Sequence, residues 1–377
     1  MSEPSSAEQL KGAGRDHAAL RVHLLRWLEQ RIGLHEVELS ELVAPSSNGM
    51  SSETLLFSLQ WKEGGRQHKQ HCVARLPPEA SALPVFPSYD MDRQFKVMQL
   101  IGERCSAPVP RVLWSETDAA WLGAPFFVME RVDGEVPPDV MPYPFGSWLA
   151  DASSEQQRQL QGHSLAVLAA IHSVKTTPAE RDFLQFQRSG ASALRRHVAE
   201  QRAYYEWVAQ EERSPLIERC FDWLEAHWPV SESEEVISWG DSRTGNLLYR
   251  DFVPVAVLDW EMAGVAPREV DLGWMIFLHH FFQDFAPLMN MPGMPNFMRL
   301  NEVVQHYAQL TDYQPQNMAF YTFYAALRHA IVMFRIGKRT VLAGQAEKPA
   351  HPDDMIYHRE ALEAMMNGCY WNESRAG

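Results

Sequence analysis

Only four cysteines occur in 377 residues, Cys72, Cys105, Cys220 and Cys369, and no two of them form a CxxC pair. That scarcity argues against a zinc cluster or a disulfide framework and fits a reducing, cytoplasmic setting. Positive charge is also short. Against 48 Asp and Glu stand 34 Lys and Arg, a net charge of −14, which is the wrong sign for a surface built to hold nucleic acid or an anionic membrane. The chain has no uncharged apolar run of the roughly 18 residues a membrane span needs. Residues 1–15 lack the apolar stretch of a signal peptide and read as a disordered tail. The acidic balance leaves a phosphate ligand open, because a divalent cation and a few local donors can supply the charge. Oligomeric state is not readable from the sequence.

What the chain does have is bulk. Hydrophobic residues make up 46% and charged residues 22%, enough to bury a sizeable core without a covalent staple. The length suggests two lobes, and the residue pattern changes where they would meet. Asp16 can cap a helix whose apolar face carries Leu20, Val22, Leu24, Leu25 and Leu28. The stretch 43–61 breaks at Ser46-Ser47-Asn48-Gly49 and resumes as Thr54-Leu55-Leu56-Phe57, the mark of a hairpin. Gly64-Gly65 turns the chain again before a strand over 71–76, and Pro77-Pro78 ends it. A helix over 90–105 would turn Phe95, Met98 and Ile101 inward. Beyond Gly134, helical spacing dominates 155–172, 191–209 and 215–227, a β-rich island spans 236–258, and helices return. The division expected is 1–131, a sheet lobe, and 132–377, a mostly helical lobe.

The most informative segment begins Ser238-Trp239-Gly240-Asp241-Ser242-Arg243-Thr244-Gly245-Asn246 and runs on to Val257-Leu258-Asp259-Trp260-Glu261. Asp241 and Asn246 enclose four residues, the spacing of a kinase catalytic loop. The apolar runs 247–249 and 255–258 flank a turn. Pairing them as a hairpin would return Asp259 to the side of Asn246. Magnesium takes hard oxygen ligands and keeps several waters, so a carboxylate, an amide oxygen and nucleotide phosphates suffice. A third group, Asp241, suits proton transfer from an acceptor hydroxyl. Asp and Asn beside Gly are also common turn formers. It is the order of the three, with an apolar hairpin between them, that carries the reading.

The segment resembles the aminoglycoside phosphotransferase family, with its His-Gly-Asp-x4-Asn run, hairpin and following Asp. It is most similar to a bacterial branch akin to the kinase-like domains associated with some acyl-CoA dehydrogenases. The resemblance implies a two-lobed, protein-kinase-like α/β (α+β) fold, with Asp241 as catalytic base and Asn246 and Asp259 as Mg2+ ligands. It implies nucleotide contacts at the turn holding Asn48, Ser51 and Ser52, at Arg75, and at a hinge of Met129, Glu130 and Val132. Arg243, Glu261 and Arg328 are candidates for holding substrate or bracing the loop. The family's His is Trp239 here, its strand lysine is Arg75, and the Glu that would orient that lysine aligns with Gln94. Guanidinium stays charged without an ion-pair partner.

The implied activity is Mg2+-dependent transfer of the γ-phosphate of ATP or GTP to a hydroxyl of a small molecule. The branch likeness points to a hydroxyacyl or lipid-like acceptor. The alternatives are an aminoglycoside-type antibiotic kinase and a nucleotide-binding pseudokinase without activity. Asp271 reads as an anchor for the catalytic loop, His172 as a histidine without metal partners, and 289–298 as a loop over the acceptor pocket or packing.

Overall fold

The computed structural model describes residues 15–45, 52–79, 82–372 and 375. They fall into two compact units, the first within Met1–Leu100, Pro110–Val132 and Arg339–Ala346, the second within Ile101–Val109, Asp133–Lys338 and Glu347–Gly377. Of the expected tail 1–15 only Arg15 lies inside the described residues, where its guanidinium meets Glu53 and the Pro77 carbonyl.

In the first unit the Asp16 carboxylate accepts from the amides of Ala18 and Ala19 and opens α1 (His17–Trp27). One π turn, Leu28–Ile32, follows, and Gly33 closes it at φ 84°. Leu20, Leu24, Trp27 and Leu28 are buried, but Val22 is 52% exposed. Two residues on from Leu20, Val22 lies across a 3.6-residue turn and falls off the apolar face.

Five strands form an antiparallel sheet in the order β1-β2-β3-β5-β4: β1 (His35–Leu39), β2 (Glu53–Glu63), β3 (Arg66–Leu76), β4 (Val112–Glu116) and β5 (Phe126–Glu130). Gly64 and Gly65, both with positive φ, make the two-residue turn between β2 and β3, a turn whose twist matches the strands it joins. Because that turn sets the register from Glu63↔Arg66 onward, β3 starts five residues before the expected 71–76 strand. Upstream of β2, the peptide groups of Val43 and Leu56 exchange hydrogen bonds of 2.9 and 2.8 Å; the turn expected at Asn48 and Ser51 lies outside the described residues.

Alternate residues of β2, Leu55, Phe57 and Leu59, join Cys72, Ala74, Phe126 and Trp27 in one apolar core. Burial pushes the Cys72 thiol up to about 12, so it packs as a small hydrophobe rather than a nucleophile. The helix expected over 90–105 is α2 (Met91–Arg104), capped where the Asp90 carboxylate accepts from the Arg93 amide at 2.9 Å.

The second unit is mostly helical: α3 (Ser154–His172), α4 (Pro178–Leu184), α5 (Ala193–Ala209), α6 (Pro215–Ala226), α7 (Arg268–Phe285), α8 (Leu300–Thr311), α9 (Met318–Leu342) and α10 (Arg359–Met366). Two small β-pairs interrupt it. β6 (Glu235–Ser238) pairs with β9 (Gly264–Pro267), and β7 (Leu247–Arg250) pairs with β8 (Val253–Val257). The short α4 and the four-residue β9 were not legible as periodic segments. A Cβ on Gly273 would lie 2.6 Å from the Tyr321 carbonyl, so the missing side chain lets α7 and α9 cross in close contact. Among the described residues no helix is long and apolar enough to cross a membrane.

Candidate active site

The loop from β6 to β7 turns at Gly240, φ +90°, where an added Cβ would fall 2.2 Å from the Met262 carbonyl. Only glycine fits there. Asp241, Ser242 and Arg243 follow, then a single 3-10 turn, Thr244–Asn246.

A fully buried carboxylate, Asp271 on the first turn of α7, holds this loop from beneath. Its Oδ1 accepts from Ser238 Oγ at 2.8 Å and the Gly240 amide at 2.9 Å. The other oxygen, Oδ2, accepts from the Trp239 amide at 2.8 Å and His172 Nε2 at 3.0 Å, and the Asp271 carbonyl accepts from Ser242 Oγ at 2.8 Å. Burial alone would raise this carboxyl. The His172 contact and charge, with the Gly240 and Ser238 bonds, outweigh it and hold the group below its ordinary 3.8. His172 Nδ1 is 2.7 Å from the Tyr307 hydroxyl, so both ring nitrogens are spoken for. It is a structural histidine.

The loop presents Asp241 between donors. Trp274 Nε1–H reaches Oδ1 at 2.6 Å, while Asn246 Nδ2–H at 2.6 Å and Arg243 Nε–H at 3.2 Å reach Oδ2. Arg243 also pairs with Asp139. Burial works against the guanidinium, but Asp241, Asp139 and Asp259 hold its pKa above the ordinary value, so Arg243 sits in the loop as a fixed positive centre. Asn246 Nδ2 donates a second time, to the Asp241 carbonyl at 3.0 Å. With the amide nitrogen so committed, the amide oxygen faces the other way, and it accepts no hydrogen bond among the described residues.

β7 and β8 form the expected hairpin, with Leu247 opposite Val257 and a turn at Asp251 and Phe252, both at positive φ. The Leu258 amide donates to the Asn246 carbonyl at 2.9 Å, so Asp259 follows directly on the rung that carries Asn246. Asp259 itself is left-handed, φ +58°, a conformation that costs about 1 kcal/mol or more outside glycine and clusters at functional sites. Trp239, which replaces the histidine of the resembled pattern, is buried and donates from Nε1 to the Leu258 carbonyl at 2.9 Å. It braces the approach to Asp259. Glu261, two residues on, is half-buried.

Asp241, Arg243 and Asn246 are therefore in mutual contact in the second unit, with Asp259 adjoining, and Arg328 joins them from α9 by donating to the Gly240 carbonyl at 2.9 Å. The candidates of the first unit are placed by their own sheet. Arg75 Nη1 donates to Thr54 Oγ1 at 2.8 Å, and Ser52 is buried; Asn48 and Ser51 lie outside the described residues. Met129 pairs with Val73 in the ladder. The Glu130 amide is given to the Arg111 carbonyl at 2.8 Å and the Arg131 amide to His71 at 2.9 Å, with Val132 just beyond. Gln94 is buried on α2.

Two partners of the loop were not foreseen, Trp274 and Asp139. Trp274 stands three residues after Asp271, and residues i and i+3 share one helix face. For Asp139 no sequence signal exists, since it lies 104 positions from Arg243. Among the described residues no three His, Cys, Asp or Glu side chains gather to hold a metal ion. The donor set at the loop, one amide oxygen and one carboxylate, suits a hard cation that takes its other oxygens from phosphate and water.

Comparison with known proteins bears on the family and the fold. The family described as "Phosphotransferase enzyme family" (APH) matches residues 61–291. Acyl-CoA dehydrogenase family member 11 of Homo sapiens is 26% identical over 223 residues, 59% of this chain and 27% of that protein. Family member 10 of Mus musculus is 25% identical over 333 residues, 86% of this chain and 28% of that protein. The chain thus spans about a third or less of the length of the curated relatives it matches. A Ralstonia eutropha protein assigned as an aminoglycoside phosphotransferase superposes with TM-score 0.62 at 21% identity, covering 93% of this chain and 97% of that one. The aminoglycoside phosphotransferase APH(4)-Ia, in a ternary complex with AMP-PNP and hygromycin B, superposes with TM-score 0.51 at 14% identity, covering 91% and 97%. These likenesses show the fold, which is α+β and protein-kinase-like.

Proposed function

As the chain belongs to the phosphotransferase enzyme family, we propose that it moves the γ-phosphoryl group of ATP or GTP to a hydroxyl of a small molecule, with Asp241, Asn246 and Asp259 at the centre. The observation that carries this is the hairpin rung at Asn246. It puts Asp259 one residue past the backbone bond that ties Leu258 to Asn246, and the Asn246 amide is one hydrogen bond from Asp241.

In this reading Asp241 takes the proton of the acceptor hydroxyl as its oxygen bonds to phosphorus and the bond to the β-phosphate oxygen breaks, releasing the nucleoside diphosphate. Among the described residues Oδ1 accepts from one donor, Trp274, so a lone pair remains for that proton. Asn246 and Asp259 would hold Mg2+, which when bound would neutralise charge on the phosphate oxygens. Arg243, fixed between Asp139 and Asp241, adds a positive centre beside the reacting group. In the first unit, Arg75 would give its guanidinium to phosphate, with Ser52 and the backbone of Met129, Glu130 and Val132 as further nucleotide contacts. Asn48 and Ser51 would complete the covering turn.

For the acceptor we favour an acyl or other lipid-like hydroxyl compound. Met294, Pro295 and Phe297 of the 289–298 stretch line a surface cavity of about 280 Å3 together with Arg158, Arg299 and a single carboxylate, Glu302. Both arginines are already ion-paired, Arg158 with Glu155 at 2.7 Å and Arg299 with Glu302 at 3.7 Å, so the preference rests on the likeness to the acyl-CoA dehydrogenase family members.

A thermal-shift titration tests the metal assignment. A ligand that binds only the native state raises apparent stability, so wild type should melt higher with MgATP than with ATP and EDTA, and Asp259→Ala should lose that difference. An Asp259→Ala protein that keeps the full magnesium-dependent shift would contradict it. Transfer from labelled ATP into a metabolite pool then identifies the acceptor. Nucleotide binding without transfer to any acceptor would mark a pseudokinase, and transfer to hygromycin-like aminoglycosides would reverse our acceptor preference.

A further inference from the structure

Buried tryptophans around the loop differ in what their indoles bind. Trp239 and Trp260 give Nε1–H to backbone carbonyls, those of Leu258 and Val257, as buried indoles ordinarily do. Trp274 instead gives its N–H to the Asp241 side chain, at 2.6 Å from Oδ1. The same face of α7 therefore carries Asp271, which holds the backbone of the loop, and Trp274, which holds the side chain of its acid.

Trp274 is in turn held by a cation. The Arg328 guanidinium lies 4.2 Å from its ring centroid, within cation–π range. Arg328 is 1% exposed, and its Nη2 donates to the Gly240 carbonyl at 2.9 Å. Its Nε and Nη1 have no partner among the described residues. Burying a guanidinium with so few hydrogen bonds is costly, and the Trp274 ring and the Gly240 carbonyl offset part of the cost, with the Tyr324 ring at 5.9 Å and the charges of Asp271 and Asp241 adding to them. The close crossing at Gly273 and Tyr321 brings α9, with Arg328, against α7.

We propose that Trp274 is a positioning residue for phosphoryl transfer: its indole N–H, backed by Arg328, fixes the Asp241 carboxylate in the rotamer that faces the acceptor hydroxyl. The proposal rests on the reading of Asp241 as the base. Asn246 and Arg243 hold only Oδ2, so without the indole the carboxylate can turn about that edge. A misplacement of about 1 Å is enough to cost about 100-fold in rate.

Trp274→Phe keeps a ring for Arg328 and removes the donor. With MgATP as the probe and water as acceptor, kcat is expected to fall about 100-fold while KM for MgATP stays within about twofold, the pattern of an interaction used only in the transition state. An unchanged kcat, or a loss carried by KM alone, would overturn the proposal. The second readout needs no turnover. In 15N–1H spectra of the full chain, with its 12 tryptophans, Asp241→Ala should move one indole resonance out of the strongly hydrogen-bonded region. If no indole resonance moves although wild type is active, the proposal falls alone. If the resonance moves but wild type transfers phosphate from labelled MgATP neither to water nor to any acceptor in a metabolite pool, the contact stands and the catalytic reading of Asp241 falls, taking the proposal with it. Arg328→Lys, which keeps a cation at the ring, should retain more kcat than Arg328→Met; equal losses would remove Arg328 from the assignment.

Discussion

The sheet of the first unit and the Asp241 loop of the second are both well buried, yet they are held by opposite means. The sheet rests on apolar alternation: Leu55, Phe57 and Leu59 of β2 against Trp27, Ala74 and Phe126. The loop rests on a polar lattice around Asp271, which takes hydrogen bonds from Ser238, Trp239, Gly240 and His172 through its carboxylate and from Ser242 through its carbonyl. Apolar contacts are non-directional and tolerate exchange at equal volume. A buried polar lattice fixes direction and leaves unsatisfied groups when one member goes. The second kind is the one able to aim a carboxylate.

The largest expected effect breaks the lattice. Asp271→Ala should destabilise the second unit by about 3–5 kcal/mol, since it strands several buried donors at once, whereas Leu59→Ile in the sheet should cost less than about 1.5 kcal/mol. Urea unfolding of the full chain compares the two, and similar losses would contradict the contrast.

Next in size are two glycines of like conformation. Gly240 at φ +90° has the Met262 carbonyl 2.2 Å from its would-be Cβ, while Gly33 at φ +84° has open space. Gly240→Ala should cost about 3 kcal/mol and Gly33→Ala about 1 kcal/mol, as read from the shift in melting temperature.

The smallest effect is the response to acid. Burial lowers His280 and His358, both in the second unit, from 6.5 to about 4. Between those values the unfolded chain binds more protons than the folded one, so stability is present above 6.5 and is lost as pH falls toward about 4. On the order of 1–2 kcal/mol per histidine should disappear between about pH 7 and 5. His358→Asn should flatten that slope in urea melts taken across the range; an unchanged slope would remove His358 from it.

The contrast also explains what the sequence discloses. The sheet is written in period-two alternation and in Gly64-Gly65, both local signals. Val22 misleads by sitting beside the right face of α1, and the expected strand over 71–76 misses the first five residues of β3. In the Asp241 loop, Asp241, Asn246 and the hairpin to Asp259 lie within one short segment, so their order and pairing were legible. The direction of each side chain was not. Arg243 was readable as a substrate ligand or a brace, and its pairing with Asp139, 104 positions away, was not legible. Trp274, 33 positions from Asp241, carried no mark beyond its spacing from Asp271. Hydrogen bonds across such separations leave no periodicity.

The most direct test of the central claim is the rate of MgATP consumption by wild type and Asp241→Asn, each first shown to keep its magnesium-dependent melting shift. If Asp241 is the base of a phosphoryl-transfer centre, Asn should lower kcat by at least about 100-fold with nucleotide binding intact. An Asp241→Asn protein that binds MgATP and consumes it at the wild-type rate would contradict the account.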